Sequence, residues 1–357
     1  MKDIKKLTVC YNDKIVGYLA EISNDKFAFQ YDDEWIVNGF AISPFSLPLD
    51  NKIFISNSPY FEGLFGVFYD SLPDGWGNLI ISRALAKKGV NYEKLSPLTK
   101  LSLINKNGLG GLSYLPTQGK NSKTALIDLD YYSQIVKDLL NDKYTDLDNL
   151  YLYGGSSGGA RPKCHLDNWI IKFPLSTDDK NVGKIEYDAN SLAKKAGINT
   201  AIFKLFPSKA TSGYFGSYRF DRLNEKRVHV ISLAGALETT HRIPNMDYIH
   251  LFKVVEKICI NKDELYEVFR RMTFNVLYGN KDDHSKNFSF IYDEELKSYK
   301  LSPAYDITKT PNKYEHEMTV NGNGSPTITD LLQVAKTMKL SLEKCKIIIN
   351  DIEKVIK

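Results

Sequence analysis

A charged segment between residues 279 and 290 holds the side-chain types that phosphoryl transfer requires. It contains Asp282 and, five residues later, Asn287, and Asp306 follows nineteen residues after Asn287. A transferred phosphoryl group carries dense negative charge, so an enzyme fixes metal ions with oxygen ligands while a free carboxylate orients the attacking hydroxyl. Asp282 has the position of that carboxylate, and Asn287 and Asp306 have the positions of two magnesium ligands. The spacing predicts a chain that moves a phosphoryl group.

The stretches on either side of this segment favour a functional site over a solvated turn. Residues 273–278 are mostly apolar and predict the end of a buried helix, whereas residues 287–292 alternate polar and aromatic side chains, as a strand does. The alternative is a charged surface turn, which is what most charged hexapeptides are. A charged loop held between two core elements is better explained by chemistry.

Composition and charge are those of an ordinary globular protein. The chain has 357 residues, of which 43% are hydrophobic and 25% charged, so it can bury a large core and divide into two or three domains. We find no secretory leader and no run of eighteen apolar residues, which predicts a cytoplasmic protein without membrane contact. A net charge of +4 is too small to indicate nucleic-acid binding. Four cysteines, far apart, predict neither disulfides nor a zinc site: Cys10, Cys164, Cys259 and Cys345.

Patterning along the chain predicts three regions and an α+β fold class. Residues 1–118 alternate β-like stretches with turns before a helix-like stretch at 79–88, which predicts a small separate α/β unit. Residues 119–222 hold a helical stretch at 128–150, a glycine-rich loop at 154–163 and several strands, which predicts a β-rich lobe. Residues 223–357 predict a mostly helical lobe, with helices over 248–259, 262–277 and 329–356.

The glycine-rich loop and the strand after it are the candidates for phosphate binding. Glycines let a backbone approach phosphates and turn its amides toward them, but a flexible surface loop is an equal alternative, since the loop matches neither GxGxxG nor GxxxxGK[ST]. Lys172 has apolar neighbours on both sides, so burying it without an anion would be costly, although a surface strand would leave it exposed. Loop, strand, turn and strand with an inward lysine is the order in a nucleotide-binding kinase lobe.

Glu186 and the strand predicted over 214–221 each allow two interpretations. Glu186 is predicted in the first turn of a helix over 185–196, where it would pair with Lys172 or only complement the helix dipole. The strand predicted over 214–221 leads into residues 219–222, which would form a hinge against adenine, whereas an aromatic strand of this kind usually belongs to the core.

With these residues in view, the chain resembles the HipA-like serine/threonine kinases, the toxin halves of bacterial toxin–antitoxin pairs. The resemblance covers nearly the whole chain, and its combination of motifs is specific where no single motif is. The matching segments are residues 72–78, 108–112, 156–163, 171–174, 187–193, 219–222, 227–229, 232–235, 282–290 and 305–307. The resemblance implies an atypical two-lobed protein-kinase-like fold behind an extra amino-terminal subdomain, with ATP and Mg²⁺ as cofactors.

The resemblance also assigns roles to individual positions. The family's catalytic aspartate falls on Asp282, and its magnesium ligands fall on Asn287 and Asp306. Residues that contact ATP in the family correspond to Gly158, Gly159, Ala160, Arg161, Lys163, Lys172, Tyr218, Phe220, His284 and Lys286. The loop departs from the family pattern, because members commonly have Gly-Ala/Val-Gln-x-Lys and this chain has Arg161 and Pro162 in the middle of that run. Arg161 could contact a phosphate through two hydrogen bonds, but Pro162 removes a backbone donor.

Regulation and partners are implied in the same way. Family kinases silence themselves by phosphorylating a loop serine that corresponds to Ser156, with the adjacent Ser157 as a second candidate. A phosphate there would add about two negative charges where the ATP phosphates sit. The established family substrates are aminoacyl-tRNA synthetases, whose phosphorylation halts growth. A HipB-like helix-turn-helix antitoxin neutralises family members in type II toxin–antitoxin pairs, and this chain would reach operator DNA only through that partner.

Two other functions stay open at this point. A catalytically silent kinase-like scaffold would bind an antitoxin and tune repression, but such a scaffold would not need Asp282, Asn287 and Asp306 intact. A kinase for a small molecule would use the same constellation, because the phosphate chemistry is common to both. Replacing Asp282 by asparagine would inactivate either kinase and leave a scaffold unchanged.

Overall fold

Short strands alternate with turns in the amino-terminal third of the chain, and four longer amphipathic helices lie in the carboxy-terminal third. The structure is a computed structural model that describes residues 1–23, 25–104, 108–119, 128–143, 146–155, 158–224 and 226–357. Its contacts divide the chain into two units. Unit 1 comprises Met1–Lys184, Phe203–Ile231 and Gly235–Glu238, and unit 2 comprises Ile185–Ile202, Ser232–Ala234 and Thr239–Lys357.

The strands of the described chain are numbered in chain order. They are β1 (Lys6–Tyr11), β2 (Lys14–Ser23), β3 (Lys26–Tyr31), β4 (Phe54–Ser56), β5 (Leu112–Leu115), β6 (Lys163–Leu166), β7 (Trp169–Lys172), β8 (Phe203–Phe206), β9 (Tyr214–Tyr218), β10 (Arg222–Leu223), β11 (Lys226–Arg227), β12 (Val230–Ser232), β13 (Met246–Asp247), β14 (Ser289–Asp293), β15 (Ser298–Leu301) and β16 (Met318–Thr319).

The helices are numbered in the same way. They are α1 (Asp33–Asn38), α2 (Gly66–Tyr69), α3 (Gly75–Ala86), α4 (Pro97–Ser102), α5 (Leu129–Leu140), α6 (Leu147–Gly154), α7 (Val182–Lys195), α8 (Leu233–Ala236), α9 (Tyr248–Ile258), α10 (Asp263–Tyr278), α11 (Ile328–Thr337) and α12 (Leu342–Ile356). Short 3-10 helices occur at Tyr92–Lys94 and Ser285–Asn287.

The described residues of unit 1 form a five-stranded and a four-stranded antiparallel sheet, besides the short β10–β11 pair. The first has the order β4-β3-β2-β1-β5, and alternate residues of β3 (Phe27, Phe29 and Tyr31) are buried, as expected for a sheet with one face on a core. The second has the order β6-β7-β9-β8, and its β6–β7 hairpin pairs Lys163 with Lys172. The glycine-rich loop therefore leads directly into an edge strand of the second sheet.

Helix α3 of the amino-terminal region packs into the core of the second sheet. Asp74 caps the helix by accepting a hydrogen bond from the Gly75 amide. One hydrophobic cluster joins Trp76 and Ile80 of α3 to residues of α5, α6 and the second sheet, including Ile171 of β7. The sequence predicts a separate amino-terminal unit and does not predict this shared core.

Four helices pack together in unit 2, which also holds most of α7. Helix α10 packs against α9, α11 and α12, and β14 and β15 form an antiparallel hairpin. The short strands β13 and β16 pair in parallel. Helix α10 ends at Gly279, whose φ of +83° is the left-handed conformation that glycine adopts without strain.

Several sequence predictions need correction at the level of elements. The predicted helix over 128–150 is two helices, with Asp142 in the left-handed region at φ +54° after α5. The helical tail predicted over 329–356 consists of two helices, which are separated near Lys339 at φ +54°. Helix α7 begins at Val182, so Glu186 does not lie in its first turn and is instead buried one turn further on. The prediction that Glu186 complements the helix dipole was therefore wrong, because that effect falls off within the first turn of a helix.

The cysteine and membrane predictions can be compared with the structure directly. All four cysteines are buried and unbonded to one another, as predicted for packing residues. Among the described residues, no helix is both long and apolar enough to cross a membrane.

Candidate active site

The loop after α10 in unit 2 carries Asp282 between two fixed ends. The Gly279 amide donates to the Asn275 carbonyl at 3.0 Å and closes the helix. Asn280 is buried, and its Nδ2 donates to Asn275 Oδ1 at 3.0 Å. The chain then runs extended to the 3-10 helix Ser285–Asn287 and enters β14. The predicted arrangement of helix end, charged loop and strand is confirmed.

Asn287 is tied to the same loop by its side chain. Its Nδ2 donates to the Asp282 carbonyl at 2.7 Å, across the turn that separates them. Because the nitrogen end of the amide faces that carbonyl, the Oδ1 end is left to accept or to ligate. The bond thus presents a metal-ligand oxygen on the loop that carries the candidate base.

Asp306 is held through its two neighbours in unit 2. Its φ is +54°, a left-handed conformation that aspartate tolerates better than most residues. The Tyr305 hydroxyl lies 2.6 Å from Ser289 Oγ and donates to the Lys286 carbonyl at 2.6 Å. The Ile307 carbonyl accepts from Asn190 Nδ2 of α7 at 3.2 Å. The backbone around Asp306 is therefore fixed against the elements that carry the loop.

The donor set fits a magnesium ion that is shared with phosphates. In the described part of the chain, no three histidine, cysteine, aspartate or glutamate side chains are grouped so as to hold a metal. Mg²⁺ is usually held by one or two carboxylates together with substrate phosphates and water rather than by a protein cage. Asn287 and Asp306 would contribute one amide oxygen and one carboxylate to such a site, and their role as magnesium ligands stays a prediction.

A lysine that sequence reasoning missed lies on the candidate base. Lys313 Nζ is 2.5 Å from Asp282 Oδ1 and 2.6 Å from Glu317 Oε1. Burial opposes the charge of Lys313, but its hydrogen bonds to the two carboxylates outweigh burial and raise its pKa above the ordinary value. No signal in the sequence marks Lys313, since it stands in an ordinary polar stretch 31 residues after Asp282.

Asp283, next to the candidate base, points into the core instead. It is buried, and its Oδ2 accepts from the Tyr248 hydroxyl at 2.8 Å and lies 2.8 Å from His316 Nδ1. Its Oδ1 accepts from the Glu317 amide at 3.0 Å. Of the two consecutive aspartates, Asp282 is partly exposed and Asp283 is buried; the sequence pattern selected Asp282 as the base but did not predict the partners of Asp283.

His284 and Lys286 flank the same loop. His284 Nδ1 accepts from the Lys286 amide at 3.2 Å, so its ring proton is on Nε2 in the neutral form. The ring lies 5.1 Å from the ring of His241. Their predicted contact with a nucleotide stays a prediction.

In unit 1, the glycine-rich loop is held from behind by α3. The Trp76 amide donates to the Gly159 carbonyl and its indole Nε1 donates to the Lys163 carbonyl, each at 2.9 Å. A Cβ on Gly75 would lie 2.7 Å from the Ala160 Cα, closer than real Cβ atoms come. The motif at residues 72–78, which the sequence marked only by resemblance, therefore positions the loop.

The polar side chains of the loop make contacts within unit 1. Lys163 is buried and donates through Nζ to the Gly158 carbonyl at 2.5 Å, and Arg161 pairs with Asp178. The Pro162 carbonyl accepts from the Phe173 amide at 2.8 Å. The predicted phosphorylation sites, Ser156 and Ser157, lie outside the described residues.

Lys172 and the predicted hinge also lie in unit 1. Lys172 is half-buried, with Nζ 5.6 Å from the centre of the Phe215 ring, and its predicted pairing with Glu186 stays a prediction. Tyr218 and Phe220 are half-buried. Between them, buried Arg219 pairs with Asp221 at 2.7 Å and donates to the Gly108 carbonyl at 2.7 Å. The neighbouring guanidinium outweighs the effect of burial and holds the pKa of Asp221 below its usual range.

One cleft of unit 1 lies apart from the predicted site residues. It has a volume of about 860 Å³ and is lined by charged residues such as Glu21, Glu62 and Lys94. None of the predicted site residues lines it.

Comparisons with known proteins identify the fold and the family of the chain. Fold and loop together place the chain in the kinase-like α+β class, and the fold matches that of HipA in the complex of Shewanella oneidensis MR-1 HipA, HipB and operator DNA. The TM-score is 0.73 at 19% identity, over 98% of this chain and 88% of that one. A family model for the HipA N-terminal domain matches residues 7–115, and one for the HipA-like C-terminal domain matches residues 155–357. The chain belongs to the HipA family.

Two curated relatives come from Sinorhizobium fredii. One, named "Putative kinase Y4dM", is 30% identical over 173 residues, which are 45% of this chain and 42% of that protein. The other, named "Putative kinase Y4mE", is 22% identical over 347 residues, which are 86% of this chain and 78% of that protein. The first alignment thus spans less than half of the relative.

Proposed function

We propose that the chain is an ATP- and Mg²⁺-dependent serine/threonine protein kinase and the toxin of a type II toxin–antitoxin pair. The observation that supports this most directly is the bond between Asn287 Nδ2 and the Asp282 carbonyl, which ties the candidate metal ligand to the loop that carries the partly exposed Asp282 carboxylate. A surface turn has no need of this arrangement, whereas a phosphotransferase needs a base and a metal ligand on one rigid loop.

Each proposed role follows from side-chain chemistry. The Asp282 carboxylate accepts the hydrogen of a serine or threonine hydroxyl, the hydroxyl oxygen bonds to the γ-phosphorus, and the bond to the ADP oxygen breaks. Magnesium held by Asn287 and Asp306 supplies charge neutralisation at the phosphates. Residues 158–163, with Lys172, bind the phosphates through backbone amides and cationic side chains.

Autophosphorylation and partners complete the proposal. Phosphate on Ser156 or Ser157 would repel ATP from the loop and silence the enzyme. We infer an aminoacyl-tRNA synthetase as the protein substrate and a HipB-like antitoxin as the partner, through which the chain would contact operator DNA. The antitoxin proposal is supported by the HipB in the Shewanella complex.

Intact-mass spectrometry tests the proposal. The protein is treated with phosphatase, freed of it, and incubated with ATP and Mg²⁺, beside Asp282→Asn and the control Asp293→Asn on the β14–β15 hairpin. We expect a gain of phosphate at Ser156 or Ser157 in the wild type and the control, and none in Asp282→Asn. Phosphate gain in Asp282→Asn, or no transfer by the wild type to itself or to a panel of aminoacyl-tRNA synthetases, would contradict the proposal.

A further inference from the structure

Lys313 joins the candidate base to a second carboxylate. Its Nζ lies 2.5 Å from Asp282 Oδ1 and 2.6 Å from Glu317 Oε1. The side chains of Lys313, Asp282 and Glu317 are 35%, 40% and 25% exposed. Pairs this exposed contribute little to stability, because solvent screens them. The arrangement therefore calls for an explanation other than folding energy.

The backbone that carries Lys313 is anchored to the catalytic loop on both sides. Lys281 Nζ donates to the carbonyls of Lys313 and Tyr314 at 3.0 and 2.9 Å. The Glu317 amide donates to the Lys281 carbonyl at 3.3 Å and to Asp283 Oδ1 at 3.0 Å. Lys281 and Asp283, the residues on either side of Asp282, hold this segment by hydrogen bonds. The Lys313 ammonium therefore has a defined position next to the Asp282 carboxylate.

The contact distinguishes the two oxygens of the base. Lys313 takes Oδ1 of Asp282, which leaves Oδ2 to accept the hydroxyl hydrogen of an acceptor. A carboxylate that is free to rotate about χ2 would present either oxygen, and misplacement of a reacting group by about 1 Å can cost a hundredfold in rate. Glu317 in turn fixes the ammonium and balances its charge.

We infer that Lys313 is a positioning residue of the phosphoryl-transfer site, which orients Asp282 by holding Oδ1, with Glu317 fixing Lys313. The inference rests on the proposed kinase function. It is specific to the chemical step, since Lys313 acts on the base and not on the nucleotide.

Autophosphorylation kinetics of the full chain test the inference. The rate constant at saturating ATP and the ATP concentration for half-maximal rate are measured for Lys313→Met, Lys313→Arg and Glu317→Gln. The matched control is Lys300→Met, which removes a lysine 2.7 Å from Asp293 on the β14–β15 hairpin. Thermal melting of each variant confirms that it is folded.

We expect Lys313→Met to lower the saturating rate constant between about ten- and a hundredfold while the half-saturating ATP concentration changes less than about twofold. Lys313→Arg should restore most of the rate, Glu317→Gln should give a smaller loss, and Lys300→Met should match the wild type. A wild-type rate in Lys313→Met, an equal loss in Lys300→Met, or a change confined to ATP affinity would overturn the inference alone. No phosphate transfer by the wild type would overturn the proposed function and this inference together.

Discussion

Tyr248→Phe removes one hydroxyl from the buried network behind Asp282. Tyr248 is fully buried, its hydroxyl donates to Asp283 Oδ2 at 2.8 Å, and Asn275 Nδ2 donates to that hydroxyl at 2.9 Å. Burial raises the pKa of Tyr248 well above the ordinary value, so the hydroxyl remains a donor at any working pH. The substitution deletes a donor to a buried carboxylate and an acceptor for a buried amide without other change of shape.

The magnitude follows from those two bonds. A hydrogen bond to a charged group is worth about 1.5–3 kcal/mol, and Asp283 would keep its contacts with His316 and the Glu317 amide. We therefore expect the free energy of unfolding to fall by about 2–3 kcal/mol. Since Asp283 adjoins Asp282, we also expect autophosphorylation to slow several-fold under conditions where the variant is folded.

A tyrosine in unit 1 supplies the control. The Tyr31 hydroxyl donates to the Leu47 carbonyl at 2.7 Å and accepts from the Ile42 amide at 3.1 Å, so Tyr31→Phe also loses two buried bonds, both to neutral groups. Urea unfolding should give a loss of about 1–2 kcal/mol for Tyr31→Phe, and its kinase rate should be unchanged. The reasoning fails if Tyr248→Phe costs under about 0.5 kcal/mol, or if the two variants phosphorylate at the same rate.

Two further predictions concern unit 1. Trp76→Phe should expose the amides of Gly159, Ala160, Arg161 and Lys163 to faster hydrogen exchange, because the indole bond to the loop is lost; Trp35→Phe, which also loses a 2.9 Å indole bond, should leave those amides unchanged. Burial lowers the pKa of His229 to about 4 from an ordinary 6.5. Between these two pH values, His229 is mostly neutral in the folded chain and mostly protonated in the unfolded chain. The contribution of His229 to the free energy of unfolding is therefore complete above pH 6.5 and falls by about 3 kcal/mol on acidification to pH 4. In urea unfolding, the free energy of unfolding of His229→Gln should fall less steeply over this pH range than that of the wild type. An equally steep fall in both proteins would refute the prediction.

The sequence predicted what depends on local pattern. The helix that ends before Gly279 and the strand that begins after Asn287 both follow from hydrophobic periodicity, and the structure contains both as α10 and β14. The α+β class follows from the same periodicities. Boundaries were less accurate where one helical pattern conceals a break, as at Asp142, where a polar residue adopts a left-handed conformation.

What the sequence did not predict are contacts between distant segments. Lys313 reaches Asp282 across 31 residues, and Trp76 reaches the Lys163 carbonyl across 87. Such contacts leave no periodic trace, because each residue obeys only its local pattern. The buried network of Asp283 was not predicted for the same reason: its partners come from α9 and from the segment before β16.

The close approach of Gly75 to Ala160 has a consequence for how this chain can vary. A Cβ at position 75 would meet the Ala160 Cα at 2.7 Å and the Gly159 carbonyl at 3.2 Å, both of them backbone atoms that cannot turn aside. Gly235 differs, because a Cβ there would first meet the carboxylate of Asp70, which ends a side chain. Sequence change in the glycine-rich loop is thus limited by a residue outside the loop. A substitution that moves the backbone at position 160 toward α3 would also meet the backbone of Gly75. Substitutions at positions 75 and 160, which are 85 residues apart, therefore constrain each other.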